Sequence, residues 1–232
     1  VIVTIDGPAG TGKSTVAHLL ARRLGLEFLD TGAMYRAITL AHLDRGGDPR
    51  DASAVAKTAA RARLRFDFDR DPPELLLDGD PVGARIRAQR ISDAVSLVAA
   101  HPAVREAMVA EQRAIAEEHP RLVTEGRDQG TVVFPEADVK FYLDADPAIR
   151  AARRARQLRA AGNDADESAI LAAIIERDRL DSERATGRLA CAADAIRIDT
   201  GRLEVGEVVD RLEELSRPRL GSLLEVTAGD VE

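Results

Sequence analysis

Gly7-Pro8-Ala9-Gly10-Thr11-Gly12-Lys13-Ser14 fits G-x-x-x-x-G-K-[ST], with Thr15 next in the chain. Glycines let backbone N–H groups fold around phosphate oxygens, and a helix N-terminus just after them adds partial positive charge. Lys13 can reach terminal phosphates as a point charge, and Ser14 can ligate Mg²⁺. The only other lysines are Lys57 and Lys140, every other basic residue except histidine being Arg. A lysine at position 13 is therefore informative, because a compact ammonium suits that slot and a planar fork does not. The chemistry implied is nucleotide phosphate binding. A second group of residues stands at loop positions: Arg36 after Asp30-Thr31-Gly32, Arg105 after His101-Pro102, and the pair Arg127-Asp128. Arg177, Asp181 and Arg184 follow i, i+4, i+7 and share one helix face. Singly, each of these is a surface salt bridge. Beside a phosphate loop they read as a second anion site facing the first. Phosphoryl transfer needs two polyanions in line, with their charge neutralised by Arg, Lys and Mg²⁺.

Alternating strands and helices must hold these groups. Val1 to Ile5 is a β-branched run that reads as a buried parallel strand, and Thr15 onward turns helical. Leu26 to Leu29 is a second strand, followed by helices Ala33 to Arg45 and Asp51 to Arg63. Leu64 to Phe68 then alternates with period two, Glu74 to Leu77 resumes as strand, Asp78-Gly79 is a hairpin turn and Pro81 to Ile86 forms a third strand. Helices Ile91 to Ala100 and Ala103 to Glu118 precede strand Leu122 to Thr124, where Glu125 stands at the break. Strand Val139 to Leu143, helices Pro147 to Ala161 and Asp166 to Arg184, strand Ala195 to Ile198 and helix Glu204 to Ser216 complete the pattern. Residues 217–232 show no firm period and read as a tail or linker. This is an α/β chain: a three-layer α/β/α parallel sheet with a small antiparallel sheet inserted at 64–86. Ligands bind beyond the carboxyl ends of such strands, where Asp6, Asp30, Glu125 and Asp144 fall.

The bulk properties agree. A chain of 232 residues holds one α/β core with insertions, and with 3% aromatic residues and no Trp that core must be aliphatic. A net charge of −7 argues against a nucleic-acid-coating surface. No apolar run approaches a membrane span and no charged-then-apolar leader is seen, so a cytoplasmic protein is expected. The chain opens on a strand without Met, so further upstream residues are expected. Cys191, the only cysteine, permits no internal disulfide and reads as a small buried residue. The four histidines show no metal spacing.

From Val1 to about Leu215 the chain resembles the bacterial-type cytidylate kinases, within the nucleoside monophosphate kinases. The carriers are IDGPAGTGKST, LDTGAMYRA (29–37), SLVAAHPAVRE (96–106), EGRDQGTVVFPEADVKFYLDA (125–145), ERDRLDSERA (176–185) and AADAIRIDT (192–200). The resemblance implies a P-loop kinase core at 1–35 and 96–216, with a lid at about 148–165. It also implies an acceptor region at 36–95. Arg36, Arg127 and Arg184 would hold the acceptor phosphate, and Arg177 and Asp181 its ribose. Ser96, Arg105 and Asp128 would face cytosine, with Asp30 and Thr31 nearby. Gly7 to Thr15 with Arg150, Arg153 and Arg154 would bind ATP, and Ser14 would hold Mg²⁺. An ionised Asp accepts from the cytosine amino group, whereas uracil opposes an acceptor with an acceptor. The implied reaction is transfer of the ATP γ-phosphate to CMP or dCMP by a monomer. The competing readings are a P-loop kinase for UMP or a non-nucleotide acceptor, and a nucleotide-dependent switch. Ala88 and Arg90 stand where the family has Ser/Thr and Glu, and Gly187-Arg188 replaces a small-residue–Pro pair.

Overall fold

The computed structural model describes residues 1–224. Strand β1 (Ile2–Asp6) leads through the glycine loop to α1 (Lys13–Leu24), β2 (Glu27–Asp30) and α2 (Thr31–Asp44). Helix α3 (Ala52–Arg61) is followed by β3 (Leu64–Asp67), β4 (Glu74–Leu77) and β5 (Asp80–Pro81), which form a separate antiparallel sheet. Next come α4 (Gln89–Val98), α5 (Pro102–Glu118), β6 (Leu122–Gly126) and β7 (Val139–Asp144). Helices α6 (Pro147–Ala160) and α7 (Glu167–Glu183), strand β8 (Ile196–Asp199) and α8 (Val205–Leu220) follow.

The main sheet has the order β2-β6-β1-β7-β8, with every pairing parallel. Its register places Asp30 beside Glu125, Asp6 beside Gly126, and Asp144 beside Asp199. The acidic strand ends therefore share one edge, as expected. Val3 and Ile5 of β1 pack with α1 and α8 through Val16, Leu20, Val209 and Leu212. A second apolar cluster joins α2 to the inserted sheet and α4 through Ile38, Phe66, Leu75 and Ile91. The largest fully buried side chains are Leu and Ile apart from Met34 and Phe141, so the core is aliphatic.

Five departures have physical causes in the fold. Helix α2 starts at Thr31 because Asp30 caps it, its carboxylate accepting from the Ala33 N–H at 2.9 Å. Strand β6 runs on to Gly126, so Glu125 is buried inside the sheet rather than at a break. The third inserted strand stops at Pro81. Gly83 then turns the chain at φ +28° and a 3₁₀ turn at Arg85–Arg87 drops Ile86 into the core. Helix α8 continues past Ser216 to Leu220, and a 3₁₀ turn occupies Gly221–Leu224. Pro218 costs a helix about 3 kcal/mol, and burying Leu220 completely returns about 1.5–3 kcal/mol. The part of the expected tail beyond residue 224 lies outside the described residues. Cys191 is exposed rather than buried, because the stretch before β8 lies outside both apolar clusters.

Ala88 is the N-cap of helix α4, with non-helical backbone at φ −58° and ψ 148°, but its side chain offers no acceptor. Ala88→Ser is expected to stabilise the protein by about 1 kcal/mol, or roughly 2–4 °C in Tm. Thermal unfolding of the two proteins checks this, and an unchanged Tm would mean that the α4 terminus is already satisfied.

Candidate active site

The phosphate loop starts where β1 ends. Gly7 has φ +147°, and a Cβ there would lie 2.1 Å from the Leu143 carbonyl oxygen, so only glycine lets the chain lie this close to β7. Thr11 Oγ1 donates to the Pro8 carbonyl at 3.1 Å, and Lys13 Nζ donates to the same oxygen at 2.7 Å. Lys13 is thus folded into its own loop. Burial, and then the nearby Arg127 charge, lowers its pKa to about 7. Gly12 opens α1 in a left-handed conformation without a side-chain cap, which leaves first-turn N–H groups for a ligand. Arg150 ties the loop to the helices beyond. Its Nη1 donates to the Ala9 carbonyl at 2.9 Å, its Nε to Ala145 at 2.9 Å, and its Nη2 to Asp178 at 2.6 Å.

Ser14 Oγ donates to Glu125 Oε1 at 2.9 Å. Asp30 lies beside Glu125 in the sheet, and its carboxyl pKa is raised by burial and then by the Glu125 charge. A hydroxyl with two adjacent carboxylates is an oxygen-only set suited to a hard cation such as Mg²⁺. Among the described residues no three His, Cys, Asp or Glu side chains form a metal cluster.

A cleft opens at the exit of β6, sharing Glu125 with Ser14 of the phosphate loop. Its walls carry five arginines, at 36, 105, 127, 177 and 184, against three carboxylates, at 125, 128 and 181. Asp181 joins two of them: Arg127 Nε donates to Oδ2 at 2.8 Å, and Arg184 pairs with Oδ1. Burial alone would raise the Asp181 pKa, but Arg127, Arg184 and Arg177 together hold it below the ordinary value. Burial and repulsion from Arg127 lower Arg177 to about 10. The Nε atoms of Arg177 and Arg184 are buried without a partner, so the cleft has donors and positive charge to spare for an anion. Arg36 is aimed by Nη1 bonds to the Ile86 carbonyl at 3.1 Å and to Ser92 Oγ at 3.0 Å. Arg105 and Asp128 form a buried ion pair. The Arg105 guanidinium lies between the Tyr35 ring, 5.6 Å away, and Gly187, where a Cβ would come within 2.0–2.2 Å of it.

The structure thus brings Thr31, Arg36, Ser96, Arg105, Arg127, Asp128, Arg177, Asp181 and Arg184 to one cleft. Asp30 sits behind it as the α2 cap, and the Thr31 hydroxyl is committed to the Glu125 carbonyl at 2.7 Å. Arg153 turns toward the Thr200 carbonyl at 2.5 Å, and Arg154 is exposed. Tyr35, Ser92 and Asp178 went unnoticed among the chemistry-bearing residues. Tyr35 had a signal, its place beside Arg36; Ser92 and Asp178 had none, since their partners are remote in sequence. The histidines tie loops and elements together: His101 binds the Pro49 carbonyl at 2.8 Å and His42 that of Asp48 at 2.9 Å.

With this geometry in place, a profile of the Cytidylate kinase family matches residues 3–217. The chain belongs to the cytidylate kinase family. It is 50% identical over 213 residues to the cytidylate kinase of Rhodococcus opacus (strain B4), covering 91% of this chain and 92% of that one. Identity to the cytidylate kinase of Mycobacterium leprae (strain Br4923) is 46% over 223 residues, covering 96% and 98%. A solved shikimate kinase from Bacteroides thetaiotaomicron superposes with a TM-score of 0.48 at 14% identity, covering 94% of this chain and 98% of that one. In this cytidylate kinase family member the Gly187-Arg188 departure is compensated. Arg188 Nε donates to the Arg184 carbonyl at 2.7 Å and holds the loop that a proline would stiffen.

Two outcomes are expected. At pH 8 Lys13 is mostly neutral in the free protein, and a bound polyphosphate favours its ammonium form. Binding of a Mg-free nucleoside triphosphate should therefore take up a proton, seen as a binding enthalpy that varies with buffer ionisation enthalpy and is flat for Lys13→Met. A flat wild-type plot would contradict the depressed lysine. Gly187→Ala should destabilise the protein more than Gly162→Ala. Both positions have positive φ, which costs an alanine about 1–2 kcal/mol, but at Gly162 nothing lies within 4 Å. Equal urea midpoints for the two variants would show that Arg105 yields freely.

Proposed function

We propose that this chain transfers the γ-phosphate of ATP to CMP and dCMP, giving CDP and dCDP. The observation that carries this reading is the buried Arg105–Asp128 pair in an arginine-walled cleft that shares Glu125 with Ser14 of the phosphate loop. The Asp128 hydrogen bond to Arg105 uses Oδ2. An ionised Oδ1 is then suited to accept from the cytosine amino group, with Ser96 and Arg105 completing the reading of the ring. Arg36, Arg127 and Arg184 hold the acceptor phosphate, and Arg177 and Asp181 meet its ribose. The loop from Gly7 to Thr15 cradles the donor phosphates, and Lys13 leaves the Pro8 carbonyl for them.

Ser14, backed by Glu125 and Asp30, would hold Mg²⁺, which supplies charge neutralisation on the donor phosphates. Side chains do little covalent work, since the attacking acceptor phosphate is already an anion and needs no base. What the protein supplies is alignment and compensating charge in a site kept dry. The acceptor region at 36–95 and the lid at 148–165, with Arg150, Arg153 and Arg154, act as the closing parts. The nucleotides are the only partners in this reading, and the enzyme is a cytoplasmic monomer. No helix among the described residues is long and apolar enough to cross a membrane.

Initial rates with CMP, dCMP and UMP test the assignment. Asp128→Asn is expected to lower the cytosine-over-uracil ratio of kcat/KM by at least about tenfold, because an amide no longer rejects the uracil carbonyl. Unchanged selectivity would move base reading to other residues.

A further inference from the structure

Asp6 ends β1 immediately before the phosphate loop, in register with Gly126 of β6. Its Oδ1 accepts from the Gln129 N–H at 2.8 Å and its Oδ2 from the Gly130 N–H at 2.8 Å. The residue is 4% exposed. Burial raises its pKa to about 7 even though both N–H bonds pull the other way, so a carboxylate is a costly choice here. Two converging N–H donors explain it, because an amide would offer one acceptor and oppose the other donor with its own.

Gln129 and Gly130 open a single π turn, Gln129–Val133, directly after Arg127 and Asp128. The Gln129 side chain is held as well: it accepts from Thr124 Oγ1 at 2.8 Å and donates to Gln112 Oε1 at 3.0 Å. That chain ties the turn to β6 and α5. Among the described residues the Asp6 clip supplies its hydrogen bonds to β1, the strand that launches the phosphate loop, beside the close packing of Gly130 on Thr4.

We infer that Asp6 is a positioning residue that sets the acceptor-reading pair Arg127–Asp128 relative to the phosphate loop. It touches neither nucleotide: both carboxylate oxygens are taken and the side chain is buried. One peptide separates Asp6 from Gly7, and one separates Gln129 from Asp128, so a shift at the clip reaches both sites. The phosphate loop has further anchors in the Gly7–Leu143 approach and the Arg150 bond to Ala9. The phosphate loop is held through backbone atoms, whereas Arg127 and Asp128 are held beyond their own turn through side chains, to Asp181 and Arg105, so the acceptor loop takes more of a displacement. An error of about 1 Å in alignment costs such a reaction roughly a hundredfold.

The inference rests on the cytidylate kinase reading, and its test separates the two. If wild type does not phosphorylate CMP, the functional reading fails. If it does, Asp6→Asn is expected to raise KM for CMP at least about tenfold and to lower the cytosine-over-uracil ratio, leaving KM for ATP within about twofold. A merely structural role would lower Tm and the active fraction while leaving KM and selectivity unchanged, and that result overturns the inference. Should Asp6→Asn fail to fold, the wild-type amide resonances of Gln129 and Gly130 decide. CMP binding is expected to shift both and slow their hydrogen exchange; amides indifferent to CMP overturn the inference.

Discussion

Uncompensated positive charge at the edge of a parallel sheet is the constraint on which the site depends. Five guanidinium groups share one cleft with three carboxylates, and Lys13 lies close by. Like charges held together at low dielectric repel strongly. The protein meets this by giving Asp181 to two arginines at once and by folding Lys13 onto a carbonyl, while the Arg177 and Arg184 Nε donors stay unpaired as a remaining cost. Each of these arrangements improves when anions arrive. The free protein is therefore an unfinished electrostatic structure, suited to being completed by anions.

The backbone supports that arrangement through register. Asp30 and Glu125 are neighbours because β2 and β6 are aligned, and Asp6 reaches the acceptor turn because β1 and β6 are. Two apolar clusters back the edge from different sides, one through α1 and α8 and the other through α2, α4 and the inserted sheet. Arg36 shows how the insertion enters the site: its orientation comes from the Ile86 carbonyl and Ser92, both beyond the small sheet.

Departures from the family pattern are absorbed locally. Ala88 gives up an N-cap, while Arg85 and Arg90 both bind Asp44, at 2.7 and 2.6 Å, and hold this segment to the end of α2. Gly187 makes room for Arg105, and Arg188 replaces the rigidity of proline with a hydrogen bond.

By itself the sequence determined whatever depends on near neighbours. The glycine spacing dictates the phosphate loop, Asp51 and Asp166 announce their helices, and period-two alternation marks the first inserted strand. Arg177 and Asp181 are legible as a pair because helix geometry alone puts them on one face; Arg184, expected on that face too, instead caps α7 with extended backbone and meets Asp181 from outside the helix. The tertiary structure decided every pairing between distant residues: Ser14 with Glu125 across 111 positions, and Asp6 with Gln129 across 123. It also decided that Cys191 is exposed and that α8 runs past Pro218 to bury Leu220. No local pattern encodes these outcomes, because each is set by which groups the sheet register brings within hydrogen-bond or packing distance.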